Sequence, residues 1–350
     1  MAADDGAARD RRRPGPARPL NRLKVLLGVA ISAALFVYLF RAVDLDELGR
    51  QLRDTQWGWA ALATALAPVQ IWARARRWVY LFPPRSNPAG LVPAIWIGYM
   101  ANNVLPLRAG EIVRVYVVAR HWKVEATGGR THRFWTTLAT LIVERALDGL
   151  VVVLVLALLI LAIPVPGYLQ VAALVLLAVD LIGIAVLLAF VVAPRACERG
   201  IARLAGRWPA LERRLHRAFQ TFVTGLDGIR APSHLLPLVV WSAVVWLTPM
   251  LAIWTMLVAM NLHLPWAAGW AVLAFVGLGI SIPSAPGYVG VFHAAAALAV
   301  GLFGVSQSAA VGYALVLHAS QIIPVTLIGW LYLLREHMSL AEATHAQPPA

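Results

Sequence analysis

Apolar residues run along this chain in long blocks rather than in alternation. Leu23 to Phe40, Trp57 to Ala73, Phe134 to Ala162, Tyr168 to Ala193, Leu236 to Met260 and Ala309 to Leu334 each have about the length a helix needs to cross a hydrocarbon core of about 30 Å. Two more apolar stretches are interrupted: Leu91 to Val118 at Pro106 and Gly110, and Ala267 to Phe303 at Pro283, Pro286, Gly287 and Gly290. No small-residue cleavage site follows Tyr38-Leu39-Phe40-Arg41, so the first block reads as a retained span. The pattern predicts an all-α polytopic membrane protein with six full spans and two re-entrant hairpins.

Composition agrees. The 350 residues are 60% hydrophobic and 13% charged, against about 45–50% and 25% in soluble domains, which excludes a soluble globular enzyme. The net charge of +13 would suit a nucleic-acid binder if it were not distributed by loop. With both interrupted stretches entering and leaving on one side, one face receives the tail 1–22, the Arg74/Arg76/Arg77/Arg85 segment, the Arg120 to Arg133 segment, the loop 195–235 and Arg335. The other face receives Arg41, Arg50 and Arg53, offset by Asp44, Asp46, Glu47 and Asp54, and two uncharged turns. The positive-inside rule is then met at every connection, whereas full crossings of both stretches would put Arg120 to Arg133 outside. Both termini are expected in the cytoplasm and the protein in the plasma (inner) membrane. The arginines are expected to contact inner-leaflet anionic lipid, with no nucleic-acid partner.

Within 195–235, Ile201, Leu204, Trp208, Leu211, Leu215, Phe219 and Phe222 recur at helical spacing between arginines, which predicts an interfacial amphipathic helix kinked near Pro209. The single cysteine, Cys197, excludes an internal disulfide.

The interrupted segments align as Pro106-Leu107-Arg108-Ala109-Gly110 against Pro283-Ser284-Ala285-Pro286-Gly287. The same step beyond each glycine reaches Glu144 and Gln321. Residues 23–162 and 168–335 then each read span, span, hairpin, span. Three full spans per half put the second half in the opposite sense, so the hairpins are oppositely oriented and the whole is an inverted repeat. The remainder, 336–350, is a tail. Corresponding broken segments of this kind mark transporters with a midplane site, because backbone freed at membrane depth must line a cavity or be buried in protein.

Polar and charged groups gather near the first break: Asn102, Asn103, Arg108, Glu111 and Arg114 around it, and Glu144, Arg145 and Asp148 on one face of the third span. Seventeen Leu, Ile, Val and Phe residues between Phe134 and Ala162 favour insertion by about 5–10 kcal/mol, and three central charges cost about 2.5–3.5 kcal/mol each. Such a span persists if the charges are paired or face water, which makes them candidate site residues. Asp180 reads as a helix contact, and His293 and His318 as packing residues rather than metal ligands. No P-loop, dinucleotide fingerprint, nucleophile elbow or metal-spaced cluster is present, so neither cofactor nor metal is expected. Asp44-Leu45-Asp46 has glycosyltransferase-like spacing without a nucleotide fold around it.

Asn102-Asn103-Val104-Leu105-Pro106-Leu107-Arg108-Ala109-Gly110-Glu111, Glu144-Arg145-Ala146-Leu147-Asp148, Pro283 to Gly290 and Phe303-Gly304-Val305 together resemble the motifs of the lysylphosphatidylglycerol synthase membrane domain, from about Leu23 to Leu334. The resemblance implies a flippase-like domain associated with moving lipids between leaflets. A free-standing member is expected, without the soluble aminoacyltransferase domain, and so without synthesis of the lipid. Two positions depart from the family pattern: His293 stands where relatives often have Glu, and His318 where they often have Arg.

The expected function is a lipid translocase passing a phospholipid or lipid-linked headgroup through a polar midplane cavity, transport rather than covalent chemistry. Arg108, Arg114 and Arg145 would hold phosphate, with Glu111, Glu144 and Asp148 orienting them. Asn102 and Asn103 would donate to headgroup oxygens, and His293, His318 and Gln321 are secondary candidates. The alternative is the membrane subunit of a lipid-linked glycosyl or aminoacyl transferase system with a soluble partner.

Overall fold

The computed structural model describes residues 19–41, 43–86, 88–105, 109–122, 129–162, 167–280 and 284–338. The expectations placed on 1–18, 339–350, Pro106, Arg108 and Pro283 lie outside these residues. Among the described residues every regular element is helical.

Helix α1 (Pro19–Phe40) starts inside the stretch read as tail, and a short α2 (Leu45–Arg53) follows it. Asp44 caps α2, accepting from the backbone N–H groups of Asp46 (2.8 Å) and Glu47 (3.1 Å), which accounts for the Asp-x-Asp spacing. Next come α3 (Trp57–Val79), α4 (Leu91–Val104), α5 (Gly110–His121) and α6 (Gly129–Ala162). The chain continues through α7 (Gly167–Val192), α8 (Pro194–Ala205), α9 (Pro209–Gly225), α10 (Asp227–Arg230) and α11 (Pro232–Ala259). It closes with α12 (Trp266–Gly279), a 3₁₀ turn (Pro286–Tyr288), α13 (Val291–Gly301) and α14 (Gln307–Arg335). By length and composition alone, α11 and α14 are long and apolar enough to cross a membrane.

The longest interface joins α3 to α11. Small residues on α3, Ala60 and Ala63, are buried and let the backbones approach. Trp72 packs edge-on against Trp241, with 5.1 Å between ring centroids. At the far end the Gln56 backbone N–H donates to the Ala259 carbonyl (2.7 Å) and the Gln56 side chain to Asn261 (2.6 Å).

The interrupted stretches are antiparallel pairs, α4 with α5 and α12 with α13. Gly90, before α4, lies against His121 at the end of α5, so the first pair opens where it began. Each pair packs on a long helix of its own segment and on one from the other: α4 and α5 on α14 and α6, α12 and α13 on α6 and α14.

Buried apolar residues form two large cores. One surrounds α4–α5 and takes Ile71 to Trp78 from α3, Ala139 and Val143 from α6, Leu238 from α11 and Leu333 from α14. The other surrounds α12–α13 and takes Ala60 and Ala63, Leu156 and Leu159, Ile253 to Met260, and Ala310 to Leu317 from the opposite ends of the same four helices. The two pairs therefore sit at opposite ends of the molecule.

Charge separates along the same direction. The Asp44/Glu47 end of α2 docks on the start of α14, where Ser308 Oγ accepts from the Asp44 N–H (2.9 Å) and Ser306 Oγ donates to Glu47 (2.6 Å). At the other end, Glu336 pairs with His121 (2.6 Å), Trp122 donates to the Ser86 carbonyl (2.6 Å) and Arg133 donates to the Trp122 carbonyl.

The amphipathic segment differs from a single kinked helix. Pro209 starts a new helix at its first position, where its missing N–H costs nothing, and α8 and α9 fold back on each other through Gly206–Trp208. Helix α8 turns 103° from the end of α7, and α9 packs along the start of α6.

Candidate functional site

The charged groups of three helices, α3, α5 and α6, converge near the first break. On α6, Glu144 and Asp148 share a face at i, i+4. Glu144, 1% exposed, accepts from Arg114 Nη2 on α5 (2.8 Å), from its neighbour Arg145 Nη2 (2.8 Å) and from Arg74 Nη1 on α3 (3.3 Å). Asp148 accepts from Arg74 Nη1 (2.9 Å) and lies 2.8 Å from Arg77 Nη2 and 3.2 Å from Arg145 Nη2. Glu111 on α5 stands 4.0 Å from Arg145 Nη1 at the edge of the cluster.

Arg74 and Arg77 were expected in a basic connecting loop. They lie instead in the last turns of α3, which runs on to Val79, and both are buried. Their i, i+3 spacing puts both guanidiniums on the face turned toward α6, and the apolar periodicity Ile71, Ala75, Trp78 continues through them. That continuation is the signal for a longer helix.

Aromatic rings hold the arginines in place. Arg114 lies over the Trp78 ring, 4.4 Å from its centroid, and Trp78 is itself fixed by donating to Thr140 (2.9 Å). Arg74 lies 6.0 Å over Tyr99. Room for the Arg114 side chain comes from Gly98: a Cβ there would meet Arg114 Cγ. One turn closer to the break, a Cβ on Gly110 would overlap the Gly98 carbonyl oxygen, so α4 and α5 cross in direct backbone contact.

Four guanidiniums, those of Arg74, Arg77, Arg114 and Arg145, thus surround two buried carboxylates, with Glu111 as a third at the rim. The formal balance is +2, or +1 with Glu111. The Nε atoms of Arg74, Arg77, Arg114 and Arg145 and both Nη atoms of Arg77 make no hydrogen bond within the described residues. Side-chain exposure rises from 1–2% at Glu144, Arg77 and Arg114 to 30% at Glu111 and 37% at Arg145. The cluster is therefore sealed on the α3 side and open beside Arg145 and Glu111. Arg74 lies 17 residues beyond Trp57, about 25 Å along the axis at 1.5 Å per residue, so the cluster sits toward the basic end of the molecule.

The remaining candidates have definite surroundings. Asn102 Oδ1 accepts from the Gly110 N–H (2.9 Å) and so ties the two sides of the break, while Asn103 donates to Thr326 on α14 (2.9 Å). Gln321 is half-buried on α14. Gly287 (φ +68°) and Gly290 (φ +84°) take left-handed turns at the second break. A Cβ on Gly287 would stand 3.4 Å from the Asn103 carbonyl oxygen, so the two breaks meet here. Pro286 starts the 3₁₀ turn, and the Ala285 N–H donates to Ser32 Oγ of α1 (2.9 Å).

His293 and His318 face each other edge-on at 4.7 Å between centroids. His318 Nε2 bonds the Gly287 carbonyl (2.8 Å) and His293 Nδ1 accepts from the Gly290 N–H (3.2 Å), so both imidazoles pin the second break. Asp180 on α7 packs against Gly149 of α6, where a Cβ would meet its carboxylate. Among the described residues no group of three or more His, Cys, Asp or Glu side chains could hold a metal ion.

Neither the curated proteins nor the solved structures provide a match to this chain. The family model described as the lysylphosphatidylglycerol synthase TM region matches residues 25–329, which span both breaks and every member of the charged cluster. The chain is a membrane protein and belongs to the lysylphosphatidylglycerol synthase transmembrane-region family.

Proposed function

We propose that this protein is a lipid translocase of the flippase type, moving a phospholipid or lipid-linked headgroup between leaflets while the acyl chains stay in the bilayer. The observation that carries the reading is the net positive charge of the cluster, open at Arg145 and Glu111 beside the first break. A buried excess of guanidinium over carboxylate is costly unless an anion completes it, and guanidinium matches the phosphate fork. Arg145 is the residue for first contact with a headgroup phosphate, and Glu111 the partner it exchanges. Arg108 is a phosphate candidate by sequence alone and lies outside the described residues. Glu144 and Asp148 hold Arg74, Arg77 and Arg114 in place.

The architecture proposed with this function is six spans and two re-entrant hairpins arranged as an inverted repeat, with both termini and the basic end in the cytoplasm at the plasma membrane. Support comes from the matching partners of the two antiparallel pairs, their placement at opposite ends, and the charge separation along the molecule. The approach of Gly287 at the second break to Asn103 at the end of α4 supports a shared cavity between the two breaks.

The test is reconstitution of the full chain in liposomes carrying fluorescent headgroup-distinct phospholipids, with leaflet distribution read by chemical quenching. Exchange above empty vesicles for at least one anionic or zwitterionic lipid is expected, reduced in Arg145→Gln and Glu111→Gln. No exchange above empty vesicles across phosphatidylglycerol, phosphatidylethanolamine and lysylphosphatidylglycerol would overturn the proposal.

A further inference from the structure

The α8–α9 hairpin carries a second concentration of basic charge, separate from the buried cluster. The two helices turn polar faces toward each other, with Gln220 of α9 donating to Glu198 of α8 (3.4 Å). Between them lies an open groove of about 770 Å³, lined from one side by Arg195 and Arg199 and from the other by Arg213 and Arg217, with Glu198 and Glu212 on its walls. The size is that of a small-molecule pocket. Among the described residues, none of these four arginines pairs with a carboxylate. Arg199 and Arg217 each turn Nε back onto their own helix, toward the carbonyls of Arg195 (3.4 Å) and Arg213 (3.3 Å). That anchoring holds their terminal nitrogens without neutralising them. Four guanidiniums face two carboxylates, a formal +2.

Position says which anion. Helix α8 leaves the end of the apolar α7 at 103°, and Phe219 and Phe222 hold α9 against Phe190 of α7. Beyond these contacts the hairpin presents Leu204 (83% exposed) and Trp208 (61% exposed) with no protein covering them. A basic hairpin at the end of a span, with exposed apolar and tryptophan side chains at its bend, has the make-up of an element seated in the headgroup layer.

We propose that the α8–α9 groove is a binding site for the phosphate of an anionic phospholipid in the leaflet on the basic side, held by guanidiniums from both helices. The site is distinct from the buried cluster and binds lipid whether or not that lipid is transported. It would raise the local concentration of anionic lipid beside the opening at Arg145.

The experiment is native mass spectrometry of the full chain in detergent, titrated separately with phosphatidylglycerol, phosphatidylcholine and inorganic phosphate. Phosphatidylglycerol is expected to bind more tightly than phosphatidylcholine. Arg199→Gln with Arg213→Gln should weaken it by about tenfold, since two charge-assisted bonds are lost. Glu198→Gln with Glu212→Gln should tighten it, a gain that misfolding cannot produce. Equal binding of the two lipids, or phosphatidylglycerol affinity unchanged in both double variants, would overturn the site. Inorganic phosphate displacing phosphatidylglycerol at equal concentration would assign the groove to a soluble anion and overturn the lipid.

Discussion

Glu144→Gln tests the ion-pair network at its centre. The amide keeps the volume but removes the charge that Arg114 and Arg145 approach at 2.8 Å, Arg74 at 3.3 Å and Arg77 at 3.6 Å. It leaves Asp148 as the one buried carboxylate for four guanidiniums, and aims an NH₂ group into cations. Removing one partner of a buried ionic pair costs about 3–5 kcal/mol, a large fraction of a typical folding free energy of about 5–15 kcal/mol. The assay is reversible unfolding in mixed micelles, comparing the parent with Glu144→Gln, Arg114→Met and the double variant. Because Arg114 is held between Glu144 and the Trp78 face, removing both groups relieves part of the penalty. The double variant should be more stable than the sum of the single effects by about 1–3 kcal/mol. A Glu144→Gln cost below about 1 kcal/mol, with simple additivity in the double variant, would refute the coupling on which the network rests.

The crossing of α4 and α5 is tested by Gly110→Ala, whose Cβ would overlap the Gly98 carbonyl; a loss of about 1–3 kcal/mol or more is expected in the same unfolding assay. Gly58→Ala, with nothing within 4 Å of the added methyl, should be neutral or stabilising by up to about 1 kcal/mol. The histidine pair gives a charge-complementation test: His293→Glu alone should destabilise by about 3 kcal/mol through an unpaired buried carboxylate. Adding His318→Arg should recover most of the loss, because the two rings already touch; a double variant no better than the single would show that the positions are not exchangeable for an ion pair.

The apolar blocks were legible as helices because long unbroken apolar runs show directly in a single sequence, and α11 and α14 are long and apolar enough to cross a membrane. Glu144, Arg145 and Asp148 were legible for a related reason: three ionisable groups on one face of such a block call for partners, where a lone one such as Asp180 does not. Arg74 and Arg77 were not, because charges at the end of an apolar run have the same composition as a flanking loop. The periodicity Ile71, Ala75, Trp78 marks the longer helix, but what assigns Arg74 to the cluster is a partner 70 positions away in the chain, Glu144, and that proximity exists only after folding. The amphipathic segment shows the converse. Its apolar periodicity is real, but Pro209 permits either a kink or a fresh start, and the packing of α9 on α6 decides for the start. His293 and His318, read from the sequence as separate packing residues that depart from the family pattern, are brought into edge-on contact by the fold.

The division of α3, α6, α11 and α14 between two cores has a consequence for assembly. The core around α4–α5 is finished by Leu238 and Leu333, and the core around α12–α13 by Ala60, Ala63, Leu156 and Leu159. Each stretch of chain on either side of residues 163–166 therefore supplies what the other lacks. Expressed apart, neither fragment can bury its own hairpin; expressed together, the two should recombine through the α3–α11 seam. The cooperative unit is the interleaved whole, and its two ends report on each other through helices that belong to both.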